Sequence, residues 1–351
     1  MRLSRISWTR DGGTQASRWL YTSRSVFAAV SLVIVWWTVR LPPEFDPKNY
    51  VNKYAANFTA PDKTSENTCE AVLDRFDRFF DEKRLARQKR VRESNATSTG
   101  KYFFDKYEPE ANCFTEERFG FEFDWLHRRQ RFEAKNFYDQ GFRYDSFGDG
   151  PKFICGLDLI RNSNSMSDDK KCLVYSVGSA NKIGFEMAVH KLLGCEIHTF
   201  DPTINTFVGD EYATFHQWGL GVDGEKINGW ESKSFETVIQ ALGHENRTID
   251  ILKIDCEGCE WATMPPLFDA IASGKTKVNQ IQIELHSITP GNKKTPTETR
   301  EFFFNKMDQA GMRIFHKERN QWGCDGWKCV EYSFVSEEFL RNANKEAVCG
   351  S

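Results

Sequence analysis

The chain has 351 residues, of which 40% are hydrophobic and 28% are charged, and this balance excludes a disordered chain. Its 47 basic and 50 acidic residues give a formal net charge of −3, so the chain has no global positive field to recruit nucleic acid. We therefore expect a globular protein of one large or two modest domains, without a nucleic-acid partner.

The N-terminus carries the pattern of a targeting segment. An uncharged stretch over residues 25–39 follows five arginines, and it ends with Trp36, Trp37 and Val39 rather than the small residues of a signal-peptidase site. Excess positive charge before such a stretch holds the N-terminus in the cytosol. We therefore predict a signal-anchor transmembrane helix over 25–39 with a cytosolic tail over 1–24. A cleaved signal peptide, which would make the protein secreted, and a buried helix are the alternatives.

Two features of the remaining chain agree with exposure to the lumen. Sequons for N-glycosylation begin at Asn57, Asn95 and Asn246. Ten cysteines, an even number, are compatible with disulfides in an oxidising compartment. The resulting hypothesis is a single-pass type II membrane protein of the Golgi or the endoplasmic reticulum, with its main domain in the lumen.

The spacing of the cysteines suggests one bridge and leaves other positions open. Cys324 and Cys329 flank a glycine-rich turn and are the first choice for a local disulfide. Cys172 and Cys195 lie in apolar runs, where free buried thiols are expected. The C-x-x-C pair that begins at Cys256 favours a disulfide or buried thiols. A redox motif, or a four-thiolate zinc site shared with the later pair, is the alternative, and no metal is predicted.

Three regions follow the predicted membrane segment. Residues 40–65 contain prolines and polar residues without periodicity, which indicates a lumenal stem. Residues 66–150 begin with apolar residues at helical spacing and are rich in aromatic side chains, so we predict a helical cap region. Over residues 151–351, short apolar runs alternate with helical stretches. This alternation predicts an α/β domain, a mostly parallel sheet with helices on both faces.

The first apolar run of this domain leads into a glycine turn. The run CLVYSV is followed by Gly178 and Gly184, then by a helical pattern that ends at Gly194. The next strand-like run delivers Asp201, 23 residues after the first of these glycines. In open α/β sheets, a carboxylate at this place accepts hydrogen bonds from the two hydroxyls of a bound ribose. We therefore predict that Asp201 is a ribose-binding residue.

Acidic residues also follow two later runs. Asp255, Glu257 and Glu260 come after TIDILKI, and Glu284 and His286 end QIQIELH. The carboxyl ends of parallel strands meet at one edge of a sheet, so these side chains are expected at the same crevice as the glycine turn. Glu260 has an alternative role, because a carboxylate that begins a helix opposes the helix dipole.

The nucleotide that this crevice accepts is constrained by the glycine spacing. A dinucleotide fingerprint requires G-x-G-x-x-G, so that backbone N–H groups surround a pyrophosphate. Only Gly178 and Gly184 are present, at the spacing G-x5-G. S-adenosylmethionine has no phosphates and tolerates a looser turn, so methyl transfer fits this pattern better than hydride transfer does.

With these motifs, residues 150–335 resemble the FkbM-type methyltransferases, and more closely the methyltransferase-like protein 24 group. The resemblance lies in the order of five motifs, VYSVGSANKIGFE, CEIHTFDP, FHQWGLG, IDILKIDCEGCEW and IQIELH. It implies a class I methyltransferase Rossmann-like sheet, usually of seven strands with the last one antiparallel. The runs MRIFHKE and CVEYSFVS would then pair as the terminal hairpin. The turn departs from the family's GANIG by the insertion of Lys182.

The resemblance also implies roles for individual residues. Residues near the turn would line the S-adenosylmethionine site, with Trp218 near the adenine and Asp255 near the methionine and the reacting end. The residues implied at the turn are Gly178, Ser179, Asn181 and Asp201. An oxygen acceptor needs a general base, and Asp255, Glu257 and His286 are the candidates. His190 and His198 fall inside apolar patterns and are expected to be packing residues.

The leading hypothesis is an S-adenosylmethionine-dependent O-methyltransferase of the secretory-pathway lumen that acts on a small-molecule or glycan acceptor. The altered turn favours one alternative, a non-catalytic lumenal binding protein that keeps the methyltransferase fold. A nucleotide-dependent oxidoreductase or a glycosyltransferase is the other alternative, although the chain has no D-x-D motif to hold a metal and a sugar diphosphate. The acceptor and the oligomeric state are left open.

Overall fold

The structure is a computed structural model. It describes twelve helical positions within 71–89 and the ranges 103–113, 115–119, 152–163, 171–227, 229–289, 293–320, 324 and 328–349. The predicted tail, membrane segment and stem, and the sequons at Asn57 and Asn95, lie outside the described residues. Within the described ranges, no helix has both the length and the apolar character needed to cross a bilayer.

Fourteen strands and six labelled helices make up the described domain. The strands are β1 (Glu117–Phe119), β2 (Lys152–Ile154), β3 (Leu173–Val177), β4 (Glu196–Phe200), β5 (Thr214–His216), β6 (Gly219–Leu220), β7 (Lys226–Ile227), β8 (Trp230–Lys233), β9 (Thr248–Ile254), β10 (Lys277–His286), β11 (Ile288–Thr289), β12 (Lys293–Lys294), β13 (Met312–Arg319) and β14 (Cys329–Ser336). The helices are α1 (Leu157–Ser163), α2 (Gly184–Leu193), α3 (Phe235–Leu242), α4 (Glu260–Ala272), α5 (Thr297–Gln309) and α6 (Glu337–Cys349). A 3-10 helix spans Phe103–Lys106.

Seven of these strands form the central sheet, in the order β13-β14-β10-β9-β3-β4-β5. The pairs β10–β9, β9–β3, β3–β4 and β4–β5 are parallel, whereas β14 runs antiparallel to both β10 and β13. The predicted terminal hairpin is therefore confirmed, because MRIFHKE and CVEYSFVS fall in β13 and β14. A seven-stranded sheet with its last strand antiparallel is the predicted class I methyltransferase arrangement.

Helices cover both faces of the sheet, which explains why the central strands are mainly apolar. In β3, Leu173 and Tyr175 face a core cluster that contains residues of α3, α4 and α5, whereas Val174 faces a second cluster with α1 and α2. Successive side chains of a strand point to opposite faces, so in a strand that is buried on both faces most side chains are apolar. The α2 helix ends at Gly194 in the left-handed conformation, as predicted.

The aromatic residues that precede the sheet belong to its core. Phe103 and Tyr107 are buried, and the Tyr107 ring stacks on Phe304 of α5 with 3.6 Å between ring centroids. The helical positions within 71–89 are joined to the domain by Arg87, which is 3% exposed and pairs with Glu110 and Asp308. The described residues from 71 onward thus belong to one compact unit.

Four disulfides join described cysteines, and they correct one prediction. The predicted Cys324–Cys329 bridge is present, and Cys113–Cys155 and Cys256–Cys259 are the second and third. The fourth joins Cys172 to Cys195, so the expectation of free thiols at these two positions is wrong.

Strand register explains the Cys172–Cys195 bridge. The two cysteines precede β3 and β4, and the first residues of these strands, Leu173 and Glu196, are register partners. Their Cα atoms are therefore only 4.7 Å apart. Because Cys256, Cys259, Cys324 and Cys329 are all in disulfides, the alternative four-thiolate zinc site is not formed.

Candidate active site

Three predicted site residues meet at the carboxyl ends of adjacent strands. Gly178 follows β3, Asp201 follows β4 and Asp255 follows β9. Val177, the last residue of β3, is the register partner of the last residue of β4 and of the last residue of β9. The residues after these strands therefore lie side by side, although 77 positions separate the first from the last along the chain. The structure brings the predicted turn and both carboxylates together.

The turn after β3 has an unusual backbone. Gly178 has φ of 73°, and Ala180 and Asn181 are also left-handed, at 45° and 59°. A Cβ on Gly178 would lie 1.7 Å from the carbonyl oxygen of Asp255, so only glycine fits against β9 here. The buried Lys253 side chain donates a hydrogen bond of 3.0 Å to the Gly178 carbonyl oxygen and thereby stabilises the conformation of the turn.

Replacing Gly178 with alanine is expected to destabilise the protein by about 1–3 kcal/mol, because the new methyl group clashes with backbone and the residue keeps a left-handed φ. Urea unfolding followed by circular dichroism measures the change. Gly243 is the matched control, since its φ is 71° but no atom lies within 4 Å of a Cβ placed there. If Gly178→Ala lowers the free energy of unfolding no more than Gly243→Ala does, the close approach of Gly178 to the Asp255 carbonyl oxygen is not what requires a glycine.

Asp201 is 4% exposed and directs its carboxylate at the turn. Its Oδ2 accepts from the Ala180 N–H at 2.8 Å, and its Oδ1 accepts from the N–H and the hydroxyl of Thr203. An ionised carboxylate has about four acceptor positions, so one remains on Oδ2 beside the turn. The residue therefore fits one hydrogen bond from a ribose hydroxyl, whereas a second requires that Thr203 release Oδ1.

The other residues implied at the cofactor site are occupied by contacts within the protein. Ser179 is buried, and its Oγ accepts from the Asn181 N–H at 3.2 Å. The Asn181 side chain donates to the Thr206 carbonyl oxygen and accepts from the Val208 N–H, so it holds the loop after β4 against the turn. These two side chains shape the turn.

Trp218 lies just beyond the carboxyl end of β5, next to β4. The His216 ring lies 4.6 Å from the Trp218 ring, and the Lys233 ammonium lies 4.9 Å from its centroid. The Phe200 ring, at the end of β4, is 6.2 Å away. The indole therefore stands at the edge where the sequence resemblance puts the adenine, with a cation over its ring.

The three predicted general-base candidates form one group. Carboxylate oxygens of Asp255 and Glu257 and a ring nitrogen of His286 all lie within 4.8 Å of one another. Asp255 is half-buried, and among the described residues no donor contacts its carboxylate. Glu257 is 70% exposed and has a left-handed φ of 56°. The structure thus leaves the Asp255 carboxylate open to an acceptor.

His286 is buried at the end of β10 and pairs with Glu260, the first residue of α4. Glu260 Oε1 accepts from both the backbone N–H and the Nδ1 of His286, each at 2.8 Å, and Oε2 accepts from the Gly258 N–H. Burial alone would lower the pKa of His286. The Glu260 hydrogen bond and the charges of Glu260, Glu284 and Asp255 outweigh this and raise the pKa to about 10. His286 therefore carries a proton at pH 7, and the two carboxylates remain as bases.

A second buried group of charges lies beside His286, between β10, β14 and β2. Lys152 donates a hydrogen bond of 2.5 Å to Glu331, which is the register partner of Glu284. Burial, with the charges of Glu331 and Asp255, raises the pKa of Glu284 to about 9. Burial alone would lower the pKa of Lys152, but Glu331, Asp255 and Glu284 outweigh it and raise the pKa. This end of the sheet is therefore rich in carboxyl groups, and two buried cations, Lys152 and His286, balance part of their charge.

Sequence reasoning missed two residues of this region and misjudged a third. Lys253 interrupts the apolar run ILKI and Lys152 begins the run KFI, and a lysine within or next to a buried run is the signal that could have found them. His190 was expected to pack inside the domain, but it is exposed on α2, where its ring lies 5.6 Å from the Tyr212 ring. The helical pattern alone did not distinguish the two faces of α2 near its end.

The order of the central sheet and the glycine turn and carboxylates at its carboxyl edge agree with the class I methyltransferase arrangement that the sequence predicts. Residues 125–336, more than half of the chain, match the family described as "Methyltransferase domain", and the chain belongs to this family.

Two curated relatives of this chain are named "Probable methyltransferase-like protein 24". The chain is 23% identical to the Homo sapiens protein over 185 residues, which are 48% of this chain and 49% of the relative. It is 24% identical to the Rattus norvegicus protein over 162 residues, which are 42% and 43% of the two chains. The chain therefore spans about half the length of the curated relatives it matches.

The solved structures that resemble this chain are distant from it in sequence and in structure. WbdD, a bifunctional kinase-methyltransferase, is 17% identical over 51% of this chain and 40% of its own, with a TM-score of 0.33. The Methanococcus jannaschii fibrillarin pre-rRNA processing protein is 13% identical over 48% and 66%, with a TM-score of 0.31. The N-terminal domain of EvdMO1, crystallised with SAH and D-fucose, is 12% identical over 60% and 95%, with a TM-score of 0.28.

Proposed function

We propose that this protein is an S-adenosylmethionine-dependent methyltransferase that methylates a hydroxyl oxygen of a small-molecule or glycan acceptor in the lumen of the secretory pathway. One observation carries the proposal. The glycine turn, the Asp201 carboxylate and the open Asp255 carboxylate occupy the ends of three adjacent strands at the edge where α/β sheets bind ligands. Membership of the methyltransferase domain family supports the reaction class.

The residues at this edge divide into a binding part and a reacting part. S-adenosylmethionine, when bound, supplies a methyl group on a positively charged sulfur. Asp201 offers its remaining acceptor position to a ribose hydroxyl, and the turn from Gly178 to Asn181 lets the backbone approach the ligand. The carboxyl-rich neighbourhood of Asp255 and Glu257 favours a cation.

Asp255 is the proposed general base. Its carboxylate accepts the proton of the acceptor hydroxyl as the oxygen becomes nucleophilic. His286 cannot take this proton at pH 7, because the pKa of its ring is raised to about 10. The imidazolium instead places a positive charge beside the Asp255 carboxylate, within 4.8 Å of it. Holding the acceptor in line with the methyl group supplies the rest of the acceleration.

A lumenal location is part of the proposal, and three features support it. The four described disulfides are typical of an oxidising compartment. Asn246, in the third sequon, is exposed. The uncharged segment over 25–39 with its preceding arginines is typical of a signal anchor in the Golgi or the endoplasmic reticulum. In cells, Asn246→Gln should remove one glycosidase-sensitive glycan from the full chain, whereas a wild-type chain without any glycan would contradict this location.

The cofactor-binding part of the proposal predicts that Asp201→Asn weakens S-adenosylmethionine binding by about 10–100-fold, the cost of a hydrogen bond to a charged group. Isothermal titration calorimetry on the full chain measures the affinity. Thr203→Ala is the matched control, because it removes a partner of Asp201 but keeps the carboxylate, and it should bind nearly as wild type. Equal binding by wild type and Asp201→Asn would contradict the role of Asp201.

An acceptor screen with radiolabelled S-adenosylmethionine on glycan and lipid extracts tests the reaction itself. Transfer of label to one extract component supports the proposal. Tight binding of S-adenosylmethionine without transfer to any acceptor pool would indicate the non-catalytic binding protein. Binding of NAD or a nucleotide sugar in place of S-adenosylmethionine would indicate an oxidoreductase or a glycosyltransferase.

A further inference from the structure

A cluster of ligand-type side chains lies at the opposite end of β4 from Asp201. Glu196 is the first residue of this strand, and His198 is two positions on, so both side chains point to the same face. His244, which follows α3, reaches the same place. At about 3.3 Å per residue, the five positions from Glu196 to Asp201 span roughly 16 Å, which separates this cluster from the candidate active site.

The three side chains converge on one point. The Glu196 Oε1 lies 2.9 Å from the His198 Nε2 and 3.5 Å from the His244 Nε2. One ligand atom from each residue lies within 4.8 Å of the other two. Ligands bound tetrahedrally to zinc at about 2.0–2.1 Å are about 3.3 Å apart, so the two distances from Glu196 bracket the separation that a bound ion imposes.

The atoms that point away from this centre are each held by a second partner. The His198 Nδ1 lies 2.9 Å from the His216 Nε2, and the His244 Nδ1 lies 2.8 Å from the Tyr175 hydroxyl oxygen. Glu196 Oε2 accepts from Arg247. A bound ion would displace to solvent the proton that His198 Nε2 donates to Glu196, while the two Nδ1 atoms keep their outer partners. Outer partners of this kind orient metal ligands in known sites.

We propose that Glu196, His198 and His244 bind one divalent transition-metal ion of the zinc class, with water at the fourth position. Two imidazole nitrogens and one carboxylate oxygen are a ligand set that suits zinc better than magnesium or calcium, which prefer oxygen alone. The histidine side chains are nearly buried, whereas the Glu196 side chain is 36% exposed. Water and the ion therefore reach the centre from the Glu196 side.

Metal binding to the full chain, purified in detergent micelles and stripped with a chelator, tests this site with zinc alone. We expect one zinc per chain by mass spectrometry after dialysis. We also expect Glu196→Gln and His244→Gln to weaken zinc binding by at least about 100-fold, more than the 10–100-fold that outer partners contribute. Tyr175→Phe, which removes only an outer partner, should weaken it by about 10-fold.

Two histidine variants serve as matched controls. His190→Gln removes an exposed histidine on α2, and His286→Gln removes the histidine of the candidate active site, so both should keep the zinc. Absence of stoichiometric zinc in the wild type would overturn the proposal. So would zinc retained by both ligand variants, or zinc lost from a folded His286→Gln variant.

Cobalt substitution of the wild type makes the test independent of whether the ligand variants fold. A tetrahedral site gives the intense visible absorption of four-coordinate cobalt, which excess zinc should abolish. The weak spectrum of octahedral cobalt would overturn the proposed coordination. The methyl-transfer proposal is unaffected by either result, since none of the three ligands lies at the carboxyl edge of the sheet.

Discussion

Asp255→Asn should lower the rate of methyl transfer by about 10²–10⁴-fold, the range expected for loss of a positioned general base. Asparagine has the same shape, but its amide cannot accept the proton of the acceptor hydroxyl. The Asp255 side chain has no hydrogen-bond partner among the described residues, so the substitution should leave the fold nearly unchanged, and any loss of affinity for S-adenosylmethionine should be much smaller than the loss of rate. Single-turnover transfer to the acceptor found in the extract screen measures the rate, and calorimetry measures the affinity.

Glu257→Gln is the matched control for this experiment. It removes a carboxylate from the same group, but one that is 70% exposed and therefore well solvated. We expect its rate of transfer to stay close to that of the wild type. The opposite pattern, an inactive Glu257→Gln and an active Asp255→Asn, would assign the base to Glu257 and contradict the proposed role of Asp255.

Glu260→Gln should lower the free energy of unfolding at pH 7 by about 3–5 kcal/mol, because it leaves the buried imidazolium of His286 without its main counter-charge. The Glu260 side chain is fully buried and accepts from the His286 backbone and ring and from Gly258. Guanidinium unfolding under non-reducing conditions, which keeps the disulfides intact, measures the loss. Glu257→Gln removes an exposed charge near the same ring and should lower the free energy of unfolding by well under half as much.

The stability of the wild type should fall as the pH rises through the neutral range. Unfolded histidine loses its proton near its ordinary pKa of about 6.5, whereas folded His286 keeps its proton up to about pH 10. Between these values the unfolded state binds fewer protons, so stability declines by about 1.4 kcal/mol per pH unit for this group. Glu284 acts in the same direction, because its folded pKa is raised to about 9.

The pH series also distinguishes a paired imidazolium from a merely packed ring. In Glu260→Gln the main cause of the raised His286 pKa is gone, so the decline above pH 7 should be shallower by about one proton's contribution. Denaturant unfolding at several pH values between 7 and 9.5 gives both slopes. A wild-type stability that is constant or rises over this interval would contradict a protonated His286.

The sequence predicted the elements of the candidate site that depend on local pattern. Alternating apolar runs and helical stretches predicted the parallel sheet, and each of Gly178, Asp201 and Asp255 directly follows a run. Since the ends of parallel strands share one edge, their proximity could be inferred without coordinates. The terminal hairpin of β13 and β14 was likewise predicted, through the resemblance to a known family.

What the sequence determined by itself is the succession of strands and helices along the chain and the residues at the carboxyl ends of the strands, because apolar periodicity and side-chain alternation are local properties. The charge states of the site residues, and their disulfide and hydrogen-bond partners, were decided only by the tertiary structure. Cys172 meets Cys195 through the register of two strands, and His286 keeps its proton because α4 places Glu260 against it. The Glu196–His198–His244 cluster joins a strand to a distant helix end. Such contacts bring together residues far apart in the chain, and burial then sets their chemistry.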